Sequence, residues 1–369
     1  MLRQRRVTAT PFTLSVSSVS LVDQARRHET RRLLTGESLT GTGIKFSRRR
    51  ILHFAGAAAI GSYSPAAFAQ DYPNRIVRLL VGFPPGGGAD LATRVVSEGL
   101  SDKWKQQTIV ENKPGAGARL AMDAATKAAP DGYTLLVAPG SPEVNRFLFS
   151  TLTFDPVADL APISLIGTYP NIIAVANNSS FNKLEDFIAY AKANPGKVSW
   201  ASPGVGTVPH LSGELFKHMT GIEMTHVPYR GMTDGLMTDL MTGRVDLMFN
   251  TTGSLLQPVK SKQLRGLAVT TAKRFPGTPE LPTVEESGVP GYDVSSWYGL
   301  YAPAKTPADV IKKINATMVA ILADPVVKQK FEPLGVLAQS STPEELAAKN
   351  AADAKLWGPI IEEAHIKVE

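Results

Sequence analysis

The fold is decided by one stretch of the sequence, Leu79-Leu80-Val81-Gly82-Phe83-Pro84-Pro85-Gly86-Gly87-Gly88-Ala89-Asp90. An apolar run ends there in a loop of proline and glycine, and a helix is predicted to begin just after it. A glycine-rich turn between a strand and a helix leaves backbone N–H groups free and directs the positive end of the helix at one point. The stretch therefore predicts an anion site at the edge of an α/β sheet.

The same order of strand, proline–glycine loop and helix occurs again further along the chain. The apolar segment 198–201 leads into Ser202–His210, and the segment 224–228 leads into Tyr229–Thr233. Strands that alternate with helices predict mainly parallel sheets flanked by helices, with ligands at the carboxyl ends of the strands. We therefore predict an α/β protein of two lobes, 72–170 plus 272–369 and 171–271, with a cleft between them.

Composition excludes several kinds of function. The 369 residues include no cysteine, so disulfides, thiolate metal sites, a cysteine nucleophile and a cysteine-linked lipid anchor are excluded. The net charge of +6 belongs to the first 69 residues, because the remainder has 28 basic and 30 acidic side chains. The rest of the chain is therefore not expected to have a positive electrostatic field that attracts nucleic acid or an anionic membrane.

Residues 45–69 have the features of an export signal. Three arginines, Arg48 to Arg50, precede a short apolar segment, and Ala67-Phe68-Ala69 fits a cleavage site after Ala69. The paired arginines favour twin-arginine export, with an ordinary Sec signal as the alternative. Residues 1–44 lack apolar periodicity and are predicted to be disordered, with the true translation start further downstream. The protein is predicted to be periplasmic and not lipid-anchored.

The glycine loop has two other interpretations. Glu111 ends the second predicted strand, where a dinucleotide site would place its ribose acceptor, but the Gly-x-Gly-x-x-Gly pattern fails at Leu91 and Pro84-Pro85 stiffens the turn. An exported NAD(P)-dependent oxidoreductase is thus an alternative from the enzyme class. A purely structural turn is the other.

The histidines and aromatic residues offer further candidates. His210 stands near a predicted helix start, where the pKa of an imidazole is lowered, but no Gly-x-Ser-x-Gly motif accompanies it. His210, His218 and His226 lack a metal-ligand spacing, so a loop-orienting or packing role is predicted for His210, and neither metal nor cofactor is expected. Trp297 and Tyr298 are candidates for a cleft wall.

Several motifs together resemble the substrate-binding proteins of tripartite tricarboxylate transporters, the Bug-type extracytoplasmic solute receptors. The resemblance spans residues 72–367. It is carried by Tyr72-Pro73, Val81-Gly82-Phe83-Pro84-Pro85-Gly86-Gly87, Glu111-Asn112-Lys113-Pro114-Gly115-Ala116-Gly117, Pro130-Asp131-Gly132-Tyr133, Gly206-Thr207, His210-Leu211, His226-Val227-Pro228-Tyr229-Arg230-Gly231, Pro282-Thr283-Val284-Glu285-Glu286 and Trp297-Tyr298-Gly299-Leu300.

The resemblance implies a two-lobed receptor of the periplasmic-binding-protein type II fold that closes over a small carboxylate and delivers it to a two-subunit membrane permease. It implies that backbone amides from one loop of each lobe hold the carboxylate. The ligand-binding residues carried over or chosen as candidates are Phe83, Pro84, Pro85, Gly86, Gly87, Gly88, Ala89, Asp90, Ser141, Pro203, Gly204, Val205, Gly206, Thr207, His210, Tyr229, Arg230, Gly231, Asn250 and Trp297.

Two positions depart from the family pattern. Asn250 stands where many members have Asp, and Arg230 stands where Lys is common. These changes favour a dicarboxylate, a tricarboxylate or an aromatic acid over an amino acid. We expect a monomer, and a ligand-sensing partner of a membrane signalling protein is an alternative role for the same cleft.

Overall fold

A computed structural model describes residues 72–229, 231 and 234–368, which belong to one compact unit. The predictions for residues 1–44 and 45–69 lie outside the described residues, as does the predicted contact from Arg230.

The described residues contain ten strands and ten α-helices, besides three short 3₁₀ helices and the connecting loops. The strands are β1 (Val77–Val81), β2 (Thr108–Asn112), β3 (Thr134–Pro139), β4 (Leu160–Ala176), β5 (Val198–Ser202), β6 (Met224–Pro228), β7 (Leu247–Thr251), β8 (Leu264–Val269), β9 (Ser295–Pro303) and β10 (Leu337–Ala338). The helices are α1 (Gly88–Trp104), α2 (Arg119–Thr126), α3 (Asn145–Leu148), α4 (Leu184–Ala193), α5 (Val208–Thr220), α6 (Asp234–Met241), α7 (Thr252–Lys260), α8 (Ala308–Ala323), α9 (Pro325–Phe331) and α10 (Pro343–Glu363).

The strands form one continuous mixed sheet in the order β2-β1-β3-β9-β4-β7-β5-β6. Parallel pairing joins β2, β1 and β3 in the first lobe and β6, β5 and β7 in the second. Antiparallel β4 and β9 complete the first lobe, and β8 pairs with the far end of β4. The predicted two-lobed α/β fold is confirmed, with antiparallel strands where the lobes join.

Strand β4 connects the two lobes. Its first part, Leu160 to Pro170, pairs with β9, and its last part, Asn171 to Ala176, pairs with β7 and β8. The sequence predicted a strand only from Ile172. The longer strand exists because β9 supplies hydrogen-bond partners across a register that shifts twice, near Pro162 and near Leu165.

Helices cover both faces of each lobe. In the first lobe α1, α8 and α9 bury their apolar faces on one side of the sheet, and α2 lies on the other. In the second lobe α4 and α5 cover one face, and α6 and α7 cover the other. The helix α7 was not predicted, because Pro258 lies inside it and its buried apolar side chains are few.

The last helix belongs to both lobes. In α10, Leu346 packs into a first-lobe cluster, whereas Trp357, Ile360 and Ile361 pack with second-lobe side chains such as Phe187. The lobe boundaries at 170 and 271 remain predictions. Because Val284, Val289, Tyr292 and Val294 also join the second-lobe cluster, we propose that this lobe extends to residue 294.

Candidate functional site

The first predicted loop lies at the carboxyl edge of the first-lobe sheet. Helix α1 begins at Gly88, and no side chain caps its N-terminus at Gly87. Gly86 has φ +83°, which favours glycine. Residues Pro84 to Gly87 are exposed, so their backbone is accessible from solvent. Gly82 is required for a different reason: a Cβ there would stand 2.2 Å from the Cβ of Ala118.

Asp90 supports this loop from inside. Its carboxylate accepts the N–H of Gly86 at 2.9 Å, the side-chain amide of Asn112 at 2.9 Å and two N–H groups of Arg94. Burial raises the pKa of Asp90, but these donors, Arg94 first, outweigh it and hold the pKa below its usual value. Asp90 was predicted to contact ligand, and the structure gives it an internal role in ordering Gly86.

The second predicted loop has the same design. Helix α5 begins at Val208, and its N-cap Thr207 makes no side-chain cap. The Thr207 hydroxyl donates instead to the carbonyl of Gly204 at 2.7 Å. His210 lies inside the first turn of α5, and its Nδ1 accepts the N–H of Gly206 at 3.1 Å. The side chain of Val205 packs against the second-lobe core.

A third helix start, which sequence reasoning missed, lies beside the first. Helix α7 begins at Thr252 after the N-cap Thr251, again without a side-chain cap. A Cβ placed on Gly253 would lie 3.8 Å from the Cα of Gly88. The Thr252 hydroxyl donates to the carbonyl of Gly335 in the first lobe at 2.9 Å. Threonines directly after a strand were the available sequence signal.

The start of α5 also contacts the first lobe. A Cβ on Gly140, in the loop after β3, would stand 3.2 Å from Val208 Cγ2. A Cβ on Gly206 would stand 2.9 Å from Leu148. The starts of α1, α5 and α7 therefore all lie along the seam between the lobes.

Some helix starts elsewhere have side-chain acceptors and some do not. Asp324 and Thr342 cap α9 and α10, and Asp186 accepts the N–H of Lys183 at the start of α4, whereas α2, α3 and α8 have no side-chain cap. The three helices at the seam lack such caps, so their first-turn N–H groups have no side-chain acceptor. Free N–H groups and three positive helix ends make the seam suited to an anion.

Two buried tyrosines, Tyr169 and Tyr298, lie next to the start of α1. A Cβ on Gly88 would stand 3.0 Å from the hydroxyl oxygen of Tyr298, and the rings of Tyr298 and Tyr169 are 4.7 Å apart. Burial raises the pKa of Tyr298 to about 12, so its hydroxyl keeps its proton at neutral pH. Tyr298 thus lies beside the start of α1, and its place in a cleft wall stays a prediction.

Three other predicted site residues have internal partners. Trp297 is fully buried in the first-lobe core, and its indole N–H donates to Asp353 at 2.9 Å. The Ser141 hydroxyl donates to the carbonyl of Asn350 at 3.0 Å. Asn250 is buried on β7, where its side-chain oxygen accepts the N–H of Thr251 at 2.8 Å. These polar groups therefore have partners within the protein.

The remaining predicted residues lie on or beside the loops. Gly231 donates its N–H to the carbonyl of Pro203 at 2.8 Å, and Tyr229 donates its N–H to the carbonyl of Ser202 at 3.1 Å, so the two second-lobe loops are joined. The Tyr229 hydroxyl donates to Asp239. Ala89 is buried at the start of α1, and Phe83 is partly buried against the first-lobe core.

The structure bears on the other kinds of site as well. Glu111, the residue that a dinucleotide site would use, is paired with Lys113 at 2.8 Å and Arg78 at 3.3 Å. Within residues 72–368, as far as they are described, no group of three His, Asp or Glu side chains is placed to hold a metal ion. Among these same residues, no helix combines the length and the apolar character needed to cross a bilayer.

The fold of two lobes joined by shared strands matches that of solved periplasmic binding proteins. A model of the tripartite tricarboxylate transporter family receptor matches residues 92–366. BugT of Bordetella pertussis is 31% identical over 314 residues, covering 85% of this chain and 96% of that protein. The chain belongs to this receptor family.

Solved structures agree with this assignment. The structure of R. palustris Rpa4515 with adipate is 32% identical, with a TM-score of 0.74, and the match covers 80% of this chain and 99% of that one. The structure of MatC from Rhodopseudomonas palustris with bound malate is 28% identical, with a TM-score of 0.71, over 79% of this chain and 100% of that one.

Proposed function

We propose that this protein is a periplasmic receptor that captures a small carboxylate at the seam between its lobes. One observation carries the proposal: α1, α5 and α7 all begin at the seam, and none of the three has a side-chain cap. A carboxylate there would accept backbone N–H groups in place of the missing caps.

The proposed contacts come from backbone N–H groups at the first turns of α1 and α5. In the first lobe they are the N–H groups from Gly87 to Ala89, since the N–H of Gly86 is bound by Asp90. In the second lobe they are those of Val208 and His210, because Pro209 has no N–H. The Tyr298 hydroxyl would add a neutral donor beside Gly88.

The proposed ligand is a dicarboxylate, a tricarboxylate or an aromatic acid rather than an amino acid. The neighbours solved with adipate and with malate support this choice. Asn250 supports it too, because the amide at this buried position offers no negative charge to an ammonium group. Ligand binding would draw the lobes together.

We further propose delivery of the ligand to a two-subunit membrane permease after export and cleavage behind Ala69. The family assignment supports a permease partner. Intact mass measurement of protein taken from the periplasm checks the cleavage: a mature chain that begins at Gln70 is expected. Photo-crosslinking in cells, from probes on the exposed faces of both lobes, should capture permease subunits if transport is the role.

A ligand screen tests the binding proposal directly. Thermal unfolding and calorimetry would be run with adipate, malate, citrate, benzoate and a panel of amino acids. A ligand at a hundredfold excess over its Kd stabilises the folded state by about 2.7 kcal/mol, which is a clear shift in Tm. Stabilisation by amino acids alone would contradict the proposed ligand class. Native mass spectra that show no bound carboxylate, whether retained from the cell or added, would contradict the proposed site.

A further inference from the structure

Two histidines support the second-lobe loop, residues 202–207, from inside the lobe. His210 Nδ1 accepts the N–H of Gly206 at 3.1 Å, and His226 Nε2 lies 2.8 Å from the hydroxyl oxygen of Ser202. The two imidazoles stack with ring centroids 4.0 Å apart and planes 24° apart. The loop is thus held at both of its ends by one stacked pair.

The pair is enclosed by the core of the second lobe. The ring of Trp200 lies 4.3 Å from that of His226, and His210 is only 4% exposed. The charged groups nearby are on α5: Glu214 Oε1 lies 3.8 Å from His210 Nε2, and Glu214 is itself paired with Lys217 at 2.8 Å. The carboxylate of Glu214 is thus already paired with Lys217, whose positive charge disfavours a second positive charge on His210.

Both rings are neutral at ordinary pH. Burial, followed by the neighbouring His226 and Lys217, lowers the pKa of His210 to about 3. Burial and then Lys217 lower the pKa of His226 to about 4. A neutral His210 that accepts at Nδ1 must carry its proton on Nε2, so the hydrogen bond to Gly206 selects one tautomer.

We propose that His210 and His226 are positioning residues that set the shape of the 202–207 loop through opposite ring nitrogens, Nδ1 for His210 and Nε2 for His226. The inference rests on the proposed function, because the loop is one of the two that would hold the ligand. Neither side chain touches the carboxylate itself; each acts through the backbone or hydroxyl that it holds.

The opposite use of the two nitrogens allows a crossed experiment. The side-chain amide of asparagine reaches about as far as Nδ1 of histidine, and that of glutamine reaches about as far as Nε2. His210→Asn and His226→Gln therefore keep the hydrogen bond to the loop, whereas His210→Gln and His226→Asn lose it. All four variants lose the ring stacking, so they are matched controls for one another.

The expected result is a split between affinity and stability. All four variants should show comparable losses in Tm. His210→Gln should bind the carboxylate found in the ligand screen about tenfold more weakly than His210→Asn, and His226→Asn about tenfold more weakly than His226→Gln, as one lost hydrogen bond predicts. If affinity falls equally in the Asn and Gln variants of each histidine, the pair has only a packing role and the proposal is overturned.

A second measurement does not depend on variant folding or on any ligand. Nitrogen chemical shifts of the imidazoles in the full-length protein report which ring nitrogen carries the proton. An unprotonated Nδ1 on His210 from pH 8 down to about pH 5 is expected, and a protonated Nδ1 in this range overturns the proposal. If the tautomer is as expected but no carboxylate binds, the proposed function fails while the positioning role of the histidines on the loop stands.

Discussion

A Cβ on Gly253 would lie 3.8 Å from the Cα of Gly88, so the starts of α7 and α1 are in contact although the residues are far apart in sequence and lie in different lobes. Two positive helix ends placed together repel each other unless an anion or solvent lies between them. This contact is the structural basis for expecting that ligand stabilises the arrangement of the lobes.

The exposed glycine loop gives a matched pair of substitutions. Gly86 (φ +83°) and Gly221 (φ +67°) both have open space where a Cβ would lie, and Gly221 ends α5 on the far side from its start. Gly86→Ala and Gly221→Ala should each lose about 1 kcal/mol of unfolding free energy through the same backbone strain. Only Gly86→Ala should weaken carboxylate binding in calorimetry; equal affinities would remove this loop from the site.

Bulk at Gly87 tests the same loop without backbone strain. Gly87 has φ −75°, and a Cβ there would meet only the Pro84 carbonyl at 3.5 Å, an ordinary contact. Gly87→Val should therefore fold with a Tm close to that of the wild type and lose binding. Normal binding by this variant would count against backbone recognition at α1.

The contact between Gly88 and Tyr298 is suited to a double-mutant cycle. A Cβ at Gly88 would stand 3.0 Å from the Tyr298 hydroxyl, so Gly88→Ala should cost about 1–2 kcal/mol through overpacking. Tyr298→Phe removes the clashing oxygen, so the double variant should be more stable than the sum of the single changes predicts. Urea denaturation measures this coupling, and additivity within about 0.3 kcal/mol would contradict the close approach of Gly88 to Tyr298.

The partly buried carboxyl group of Asp353 predicts how the stability of the protein depends on pH. Burial raises the pKa of Asp353 to about 6, against the opposing effects of Lys349 and the Trp297 N–H. Between the usual value of 3.8 and about 6 the folded chain holds a proton that the unfolded chain releases, so this group makes the protein less stable as pH rises through that window. Asp353→Asn keeps an acceptor for Trp297 and removes the charge.

Asp353→Asn should therefore be more stable than the wild type at pH 8, by on the order of 2 kcal/mol, with the difference vanishing near pH 4. Chemical denaturation at several pH values measures it. Asp102→Asn, at an exposed position of α1, controls for the loss of one negative charge. A variant that is less stable at pH 8 would show that the carboxylate is stabilising where it lies.

Asn171 links the connecting strand to α5. Its amide donates to the Ser212 hydroxyl at 2.9 Å, and its side-chain oxygen accepts from Ser296 at 3.1 Å. Asn171→Ala removes the partner of both buried hydroxyls, which should lower the free energy of unfolding by about 3 kcal/mol. Asn182→Ala, on the surface, is the control in the same denaturation experiment. An unchanged midpoint for Asn171→Ala would contradict the network.

Local signals predicted much of the chain correctly. Pro307, Pro325 and Pro343 stand at or next to the starts of α8, α9 and α10, where the predicted helices begin. The parallel units around β1 and β5 also follow from apolar runs that end in glycine loops. These features depend on contacts within a few residues, which a sequence pattern records.

Long-range pairing explains what was missed. The first part of β4, Leu160 to Pro170, contains prolines and a glycine that argue locally against a strand, yet β9 pairs with it along its length. Trp297 was a candidate for the cleft wall. Its side chain is buried in the core instead, where its indole N–H donates to Asp353, 56 residues away in the sequence. No local pattern contains the partner in either case.

The sequence by itself determined that this chain has strand–glycine loop–helix units, no cysteine chemistry and a resemblance to one family of solute receptors. Only the tertiary structure decided that α7 contributes a third helix start at the seam, that Asp90 faces inward, and that two histidines hold the second loop through different nitrogens. The physical reason is that backbone dipoles and buried hydrogen bonds act over a few ångströms in space, between residues that the chain brings together only when it folds.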